Sequence, residues 1–114
     1  MNGQQVRDMY LHVADVMISS EEFLTEIDNK IGDGDHGIGM AGGFKGVKKS
    51  LNGQNFQYVN EVFRDIGMTM LCVMGGASGV LFGTVFISGI VGYKEKEEFD
   101  LVDFSNVFVK SLEM

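Results

Sequence analysis

The sequence contains no proline and only one cysteine among its 114 residues. Without proline, no residue imposes a break on long helices. Cys72 alone cannot form an intramolecular disulfide, which fits a reducing compartment, and its apolar neighbours predict a buried thiol. No cationic start followed by an apolar segment is present, so no secretory signal is indicated. We therefore expect a cytoplasmic protein.

Basic residues are scarce, with 9 Lys and Arg against 16 Asp and Glu, for a net charge of −7. This balance argues against a nucleic-acid partner, because phosphate contacts need clustered cations. The one basic run, from Lys45 to Lys49, is short and predicts a solvated helix face. Hydrophobic residues make up 45 % of the chain, which is enough for the core of one small domain.

Charge is absent altogether from residues 66–93, a stretch long enough to span a bilayer. Gly75, Gly79 and Gly83 also repeat the small-xxx-small spacing of membrane helices. However, residues 75–79 have the composition of a loop, and the flanks lack a clear positive bias. We expect two buried helices around a glycine turn, and no membrane span.

Apolar residues recur at three- and four-residue steps, which predicts an all-α fold without convincing strand pairs. A capping box formed by Ser19 and Glu22 would start the second helix, which should end near Gly32. A charged connector is expected at residues 94–98. The six predicted helices cover residues 6–17, 19–32, 38–51, 59–70, 80–91 and 101–112.

Three carboxylates within eight residues, Asp28, Asp33 and Asp35, form the most informative segment. They repel one another, and Asp28 should lie in the last turn of its helix, where the helix dipole disfavours an anion. A bound cation would relieve both problems. Carboxylate oxygens favour a hard ion, Mg²⁺ or Ca²⁺. The same residues also fit an ordinary polar surface turn, since Asp and Gly are common turn formers.

Other known loop motifs do not fit this segment. An EF-hand starting at Asp33 would require other residues at Gly37, Ile38 and Phe44. The dinucleotide fingerprint matches residues 32–37 and 37–42, but it must follow a strand, and a helical segment precedes it here. No Walker A sequence occurs. Phosphate binding through a metal ion remains.

Two glycine-rich segments could hold phosphates. Gly37 to Gly39 open a helix whose backbone N–H groups can face an anion, and His36 beside them could donate a hydrogen bond. His12, within the first helix, is expected at the surface or in packing. Residues 75–79 repeat the design with the hydroxyl of Ser78, although a tight turn between two helices explains them equally well.

Together, residues 31–37 and 75–84, with Gly67-Met68-Thr69 ahead of the second segment, resemble the two N-terminal motifs of the DhaL family. This family is the nucleotide-binding subunit of dihydroxyacetone kinase, and the similarity covers nearly the whole chain. The resemblance implies antiparallel amphipathic helices, about half of a DhaL-like helical barrel, with ADP or ATP at one end. It implies Mg²⁺ on Asp28, Asp33 and Asp35. The residues that it implies around the phosphates are His36, Gly37, Ile38, Gly39, Ala77 and Ser78.

The resemblance further implies phosphoryl transfer onto dihydroxyacetone held by a separate kinase subunit. The donor is a phosphohistidine protein of the phosphotransferase system in one version of the family and free ATP in the other. Because the motif starts shortly after Met1, we expect a stand-alone subunit, which favours the coupled version. His36 is closer to these kinases than to the related fatty-acid kinase domain, which usually has Thr there. No catalytic residue is assigned to this chain.

The family's domain continues well beyond Met114, so residues 1–114 would form a nucleotide-binding domain without its C-terminal part. Half a barrel exposes an apolar face, which monomers rarely tolerate. We therefore expect a truncated chain or a homodimer, with doubtful catalysis by this chain alone. The alternatives are a non-catalytic regulatory or interaction protein that retains the helical scaffold, and the nucleotide-binding domain of a fatty-acid kinase.

Overall fold

The computed structural model describes residues 1–31 and 36–113, and within these it leaves the side chains of residues 28–31, 36 and 37 undescribed. Across the described ranges the fold is all-α, as predicted, with an isolated bridge between Asn2 and Glu98 as the one β-type pairing. The six helices are α1 (Gly3–Ser19), α2 (Glu21–Ile31), α3 (His36–Leu51), α4 (Val59–Val73), α5 (Gly76–Ser88) and α6 (Leu101–Leu112).

The boundaries of α2 and α5 differ from the prediction. Ser19 does not cap α2, because it is still the last residue of α1, and its hydroxyl donates to the Val16 carbonyl oxygen at 2.9 Å. Helix α5 begins at Gly76 and ends at Ser88, earlier at both ends than expected. Gly76 has a φ of 64°, a left-handed conformation that favours glycine, and it lets the chain turn directly from α4 into α5.

The core is built around Phe63 of α4, which is fully buried. Its ring lies about 6 Å from rings on three other helices and on the connector before α6, a separation typical of favourable aromatic pairs. Through these contacts, α1, α4, α5 and α6 all pack around the Phe63 side chain. The measured centroid separations from Phe63 are 5.8 Å to Tyr10, 5.9 Å to Phe86, 6.0 Å to Phe99, 6.1 Å to Phe104 and 5.7 Å to Phe108.

Helices α4 and α5 approach closely where each has a glycine. A Cβ on Gly67 would overlap the side chain of Ile87, and a Cβ on Gly83 would lie 2.5 Å from Cγ of Leu71. Helix α6 then docks on α5 through Ser111, whose hydroxyl donates to the Val85 carbonyl oxygen at 2.6 Å. Small residues thus set the spacing of the second half of the bundle.

Asp103, buried in the first turn of α6, fixes the connector between α5 and α6. Lys96 Nζ donates to both of its carboxylate oxygens, at 2.9 and 2.8 Å, and Tyr93 Oη donates at 2.8 Å. Asp103 also completes a capping box with Asp100. The hydrogen bond from Lys96 holds the pKa of Asp103 well below its usual range, and the same bond raises the pKa of Lys96.

The surface agrees with some predictions and corrects one. Lys45, Lys48 and Lys49 are exposed, as predicted for a solvated face. Cys72 was expected to be buried and is exposed, because the inward residues of α4, such as Met70, point to its other side. No helix within the described residues is both long and apolar enough to cross a bilayer.

A surface with many exposed apolar side chains is formed by α4, α5, α6 and the turn after α5. We call it the α4–α6 face. It surrounds a groove of about 310 Å³ between these helices, with Lys110 at its edge. The exposed apolar side chains of the face are Met68, Leu71, Val80, Leu81, Val91, Leu101, Val102, Val109 and Leu112.

Candidate functional site

The two predicted phosphate-binding segments lie at one end of the bundle. Helices α3 and α4 are antiparallel, since Ser50 near the end of α3 donates a hydrogen bond to Asp65 in the first half of α4. At the opposite end, Gly43 of α3 faces Met74, which directly follows α4. Helix α5 begins two residues after Met74. The beginnings of α3 and α5 therefore lie toward the same end of the bundle.

Helix beginnings carry backbone N–H groups without partners inside the helix, and the helix dipole makes them favourable for anions. Each of the two helix beginnings at this end of the bundle supplies such donors and a positive potential. Neither α3 nor α5 has an acidic residue in its first turn that would compete for this potential. The arrangement suits a ligand with several negative oxygens, such as a diphosphate.

Four of the residues predicted around the phosphates can be placed with their surroundings. Ile38 is 59 % exposed in the first turn of α3, and Gly39 beside it is also exposed. Ala77 is exposed and Ser78 is half-buried, both in the first turn of α5 rather than in a loop. The structure therefore places these four residues toward the same end of the bundle, in the first turns of α3 and α5.

The predicted metal ligands are less fully placed. Asp28 lies in the last turn of α2, as expected, but its side chain is outside the description, and Asp33 and Asp35 lie outside the described residues. His36 and Gly37 are the first two residues of α3. Among the residues whose side chains are described, no cluster of His, Cys, Asp and Glu could hold a metal ion. The aspartate site remains a prediction.

Three glycines at these helix beginnings have no packing reason to lack a side chain. A Cβ on Gly39, Gly75 or Gly76 would meet no heavy atom of the described residues within 4 Å. Glycine inside a helix costs roughly 0.5–1 kcal/mol relative to alanine, so its presence at Gly39 needs another cause. Close approach of a ligand to the N–H groups would be such a cause, and among the described residues nothing occupies the position of the missing Cβ.

The residues that sequence reasoning missed lie just behind these helix beginnings. Met74 is 5 % exposed, and it lies between Gly43 of α3 and Gly79 of α5. A Cβ on Gly43 would be 2.5 Å from Cγ of Met74, and a Cβ on Gly79 would overlap the Met74 carbonyl oxygen. A glycine inside the strong helical pattern of α3 was the available signal for this close approach.

A larger cleft, of about 910 Å³, lies at the other end of the bundle and does not suit the same ligand. It is formed by the chain before α4, the connector and the beginnings of α1 and α6. The carboxylates of Glu97, Glu98 and Asp100 border it, and the two cations among its described lining residues are already engaged: Lys96 is paired with Asp103, and the Met1 ammonium donates to the Phe99 carbonyl oxygen at 2.7 Å. Negative phosphates would be repelled there.

Comparison with known proteins agrees with the sequence resemblance. The chain is 37 % identical over 94 residues to the PTS-dependent dihydroxyacetone kinase, ADP-binding subunit DhaL, of Lactococcus lactis, an alignment that covers 82 % of this chain and 46 % of the relative. It is 33 % identical over 108 residues to the PEP-dependent dihydroxyacetone kinase, ADP-binding subunit DhaL, of Escherichia coli, covering 95 % of this chain and 51 % of the relative.

A longer eukaryotic relative matches as well. Dihydroxyacetone kinase 1 of Saccharomyces cerevisiae is 34 % identical over 76 residues, which are 67 % of this chain and 13 % of that protein. The chain thus spans about half the length of its bacterial relatives. The sequence model of the DAK2 domain matches residues 30–114, most of the chain, including both glycine-rich segments. The chain therefore belongs to the DAK2 domain family.

Proposed function

We propose that this chain binds ADP or ATP as its magnesium complex, as the nucleotide-binding part of a dihydroxyacetone-type kinase. The observation that carries the proposal is that the beginnings of α3 and α5 lie toward one end of the bundle, where a Cβ on Gly39, Gly75 or Gly76 would meet no heavy atom of the described residues within 4 Å. The bacterial relatives are named ADP-binding subunits, which supports the same ligand here.

The residues divide into two groups in this proposal. Asp28, Asp33 and Asp35 hold Mg²⁺, which typically takes a few carboxylates together with phosphate oxygens. The metal neutralises the charge of the phosphates. The backbone and side chains around the phosphates belong to His36, Gly37, Ile38, Gly39, Ala77 and Ser78. Phosphoryl transfer depends mainly on such positioning and charge neutralisation, so no nucleophile or general base is required from this chain.

The reaction that we propose is phosphoryl transfer to dihydroxyacetone bound on a partner kinase subunit, in the cytoplasm. A phosphohistidine protein of the phosphotransferase system recharges the bound ADP. Residues 1–114 act as one nucleotide-binding domain. The relatives named as PTS- or PEP-dependent kinase subunits support this assignment.

The proposal is tested by replacing Asp33 and Asp35 with Asn and titrating ADP in the presence of Mg²⁺. We expect at least a tenfold loss of affinity, or about 1.4 kcal/mol, because the metal loses two anionic ligands. Asp8→Asn is the matched control, since Asp8 is an exposed carboxylate of α1 paired only with Arg7. Unchanged Mg²⁺-dependent affinity in the double variant would contradict the assignment of these aspartates.

A second function is favoured by the α4–α6 face, whose side chains reach 82 % exposure at Leu101. A scaffold that binds another protein through this face, a second copy of the chain included, would need no nucleotide. The two functions are separated by one comparison. Self-association together with absent ADP binding supports the interaction protein, whereas saturable ADP binding supports the kinase subunit.

A further inference from the structure

Met74 connects the two helices that form the candidate phosphate site. It is a buried residue in extended conformation, with φ −81° and ψ 129°, between the end of α4 and the beginning of α5. Its side chain lies against Gly43 of α3, and its carbonyl oxygen lies against Gly79 of α5. One residue thus contacts both helices, at two positions where a side chain on the helix would collide with it.

The position of these contacts relates them to the site. Gly43 is seven residues, or about two turns, from the first residue of α3, and Gly79 is about one turn from the beginning of α5. Met74 itself is followed directly by Gly75 and Gly76, whose backbone faces open space. Because helices are rigid over two turns, the contact of Met74 with Gly43 fixes where the N–H groups of α3 lie relative to those of α5.

We infer that Met74 is a positioning residue for the nucleotide, an inference that rests on the function proposed above. The thioether side chain sets the separation of α3 from the α4–α5 turn, and the glycines at 43 and 79 allow that separation to be small. Phosphate oxygens bridging the two helix beginnings need one particular spacing. Met74 therefore acts on binding through the two helices and does not have to touch the ligand.

The two glycines differ in a way that makes the inference testable. A methyl group at Gly43 would meet Cγ and Sδ of Met74, at 2.5 and 2.6 Å, which are side-chain atoms that a shorter residue would remove. A methyl group at Gly79 would instead overlap the backbone oxygen of Met74, which remains whatever the side chain is. Shortening Met74 can thus relieve the first collision and cannot relieve the second.

The experiment measures ADP affinity with Mg²⁺ by calorimetry, and unfolding by urea, for five variants and the unmodified chain. The variants are Met74→Ala, Met74→Leu, Gly43→Ala, the double variant Gly43→Ala with Met74→Ala, and Gly79→Ala with Met74→Ala. We expect Met74→Ala to bind ADP about tenfold more weakly, since misplacing binding groups by about 1 Å can cost up to roughly 100-fold. Met74→Leu, which conserves volume, should stay within about threefold of the unmodified chain.

The double variants supply a readout that a purely structural role would not give. Gly43→Ala alone should weaken ADP binding, because the new methyl group displaces Met74. Adding Met74→Ala should restore the affinity to within about threefold of the unmodified chain, since the methyl group at residue 43 then fills part of the space left by the shortened side chain. Gly79→Ala with Met74→Ala should bind ADP no better than Met74→Ala, because the overlap with the carbonyl oxygen of residue 74 persists. Equal affinities of folded Met74→Ala and the unmodified chain would overturn the inference.

Two further outcomes would also overturn it. In the first, ADP affinity falls in proportion to stability in every variant and does not recover in the Gly43 double variant. Met74 would then contribute only to the stability of the core. Absence of ADP binding by the unmodified chain would refute the proposed function, and the inference would fall with it. Failure of the inference alone is recognised by normal ADP binding in the unmodified chain together with the wrong pattern among the variants.

Discussion

Replacing Gly39 by Ala should make the protein more stable and its nucleotide binding weaker. Gly39 lies in the first turn of α3, and a Cβ there would meet no heavy atom of the described residues within 4 Å. The methyl group therefore collides with none of the described residues. Alanine is favoured over glycine in a helix by about 0.5–1 kcal/mol, because the unfolded chain loses less backbone freedom. We expect the melting temperature to rise by about 4 °C.

The effect on ADP binding should have the opposite sign. The space in front of Gly39 is where we propose that phosphate oxygens approach the backbone N–H groups, and a methyl group would push them away. We expect ADP to bind at least tenfold more weakly, equivalent to about 1.4 kcal/mol. The assay combines thermal unfolding without ligand and calorimetric titration of ADP with Mg²⁺.

Gly42→Ala is the matched control for this prediction. Gly42 lies one turn further along α3, and a Cβ there also meets no described heavy atom within 4 Å. The Gly42 variant should show the same gain in stability. Its ADP affinity should stay within about twofold of that of the unmodified chain, which corresponds to roughly 0.4 kcal/mol. The reasoning is refuted if Gly39→Ala raises stability and binds ADP as tightly as the Gly42 variant.

Three further predictions concern the fold and its surface. Asp103→Ala should lower the free energy of unfolding by about 2–4 kcal/mol at pH 7, because Lys96 and the first turn of α6 lose their acceptor. Because folding lowers the pKa of Asp103, its carboxylate stabilises the fold fully above its ordinary pKa near 4, and this stabilisation is progressively lost as pH falls below that value. The difference in unfolding free energy between the variant and the unmodified chain should therefore be smaller at pH 2.5 than at pH 7 in urea unfolding. A difference that does not depend on pH would contradict the pairing. Phe63→Ala should cost about 3–5 kcal/mol in urea unfolding, because five aromatic contacts are lost around a cavity, and a cost under about 1 kcal/mol would place the core elsewhere. The double variant Val109→Lys with Leu112→Lys should change the stability of the single chain by no more than about 0.5 kcal/mol per substitution, since both side chains are exposed. It should abolish any self-association through the α4–α6 face, as measured by sedimentation velocity. Persistent association would locate the contact on another surface.

The helices were predictable because their apolar residues follow the period of a helix. The spacing of Met40, Phe44, Val47 and Leu51 predicted one face of α3, and all four are buried. Residues 101–112 likewise form α6 as predicted. The start of α5 was placed too late, because residues 75–79 are all small and give no apolar signal, while the backbone turn that starts the helix depends on the conformation of Gly76.

The residue types of the candidate site could be predicted from the sequence, but the packing contacts behind it could not. The glycine-rich segments and Ser78 were recognised from residue types that suit phosphates, and the structure places their described residues at the beginnings of α3 and α5. The role of Met74 could not be read from the sequence, because it depends on contacts between residues 31 and 5 positions apart in the chain. Whether a residue near the end of a helix is buried also depends on how the helices pack. For this reason Cys72 was expected to be buried from its apolar neighbours in the sequence and is exposed in the structure.

The most direct test of the proposed function is calorimetric titration of ADP into the purified chain, first with Mg²⁺ and then with EDTA. Heat of binding that saturates with Mg²⁺ and disappears in EDTA is the result that we predict, because the aspartates hold the nucleotide through the metal. Absence of binding in both conditions, with the helical fold intact by circular dichroism, would contradict a nucleotide site in this chain.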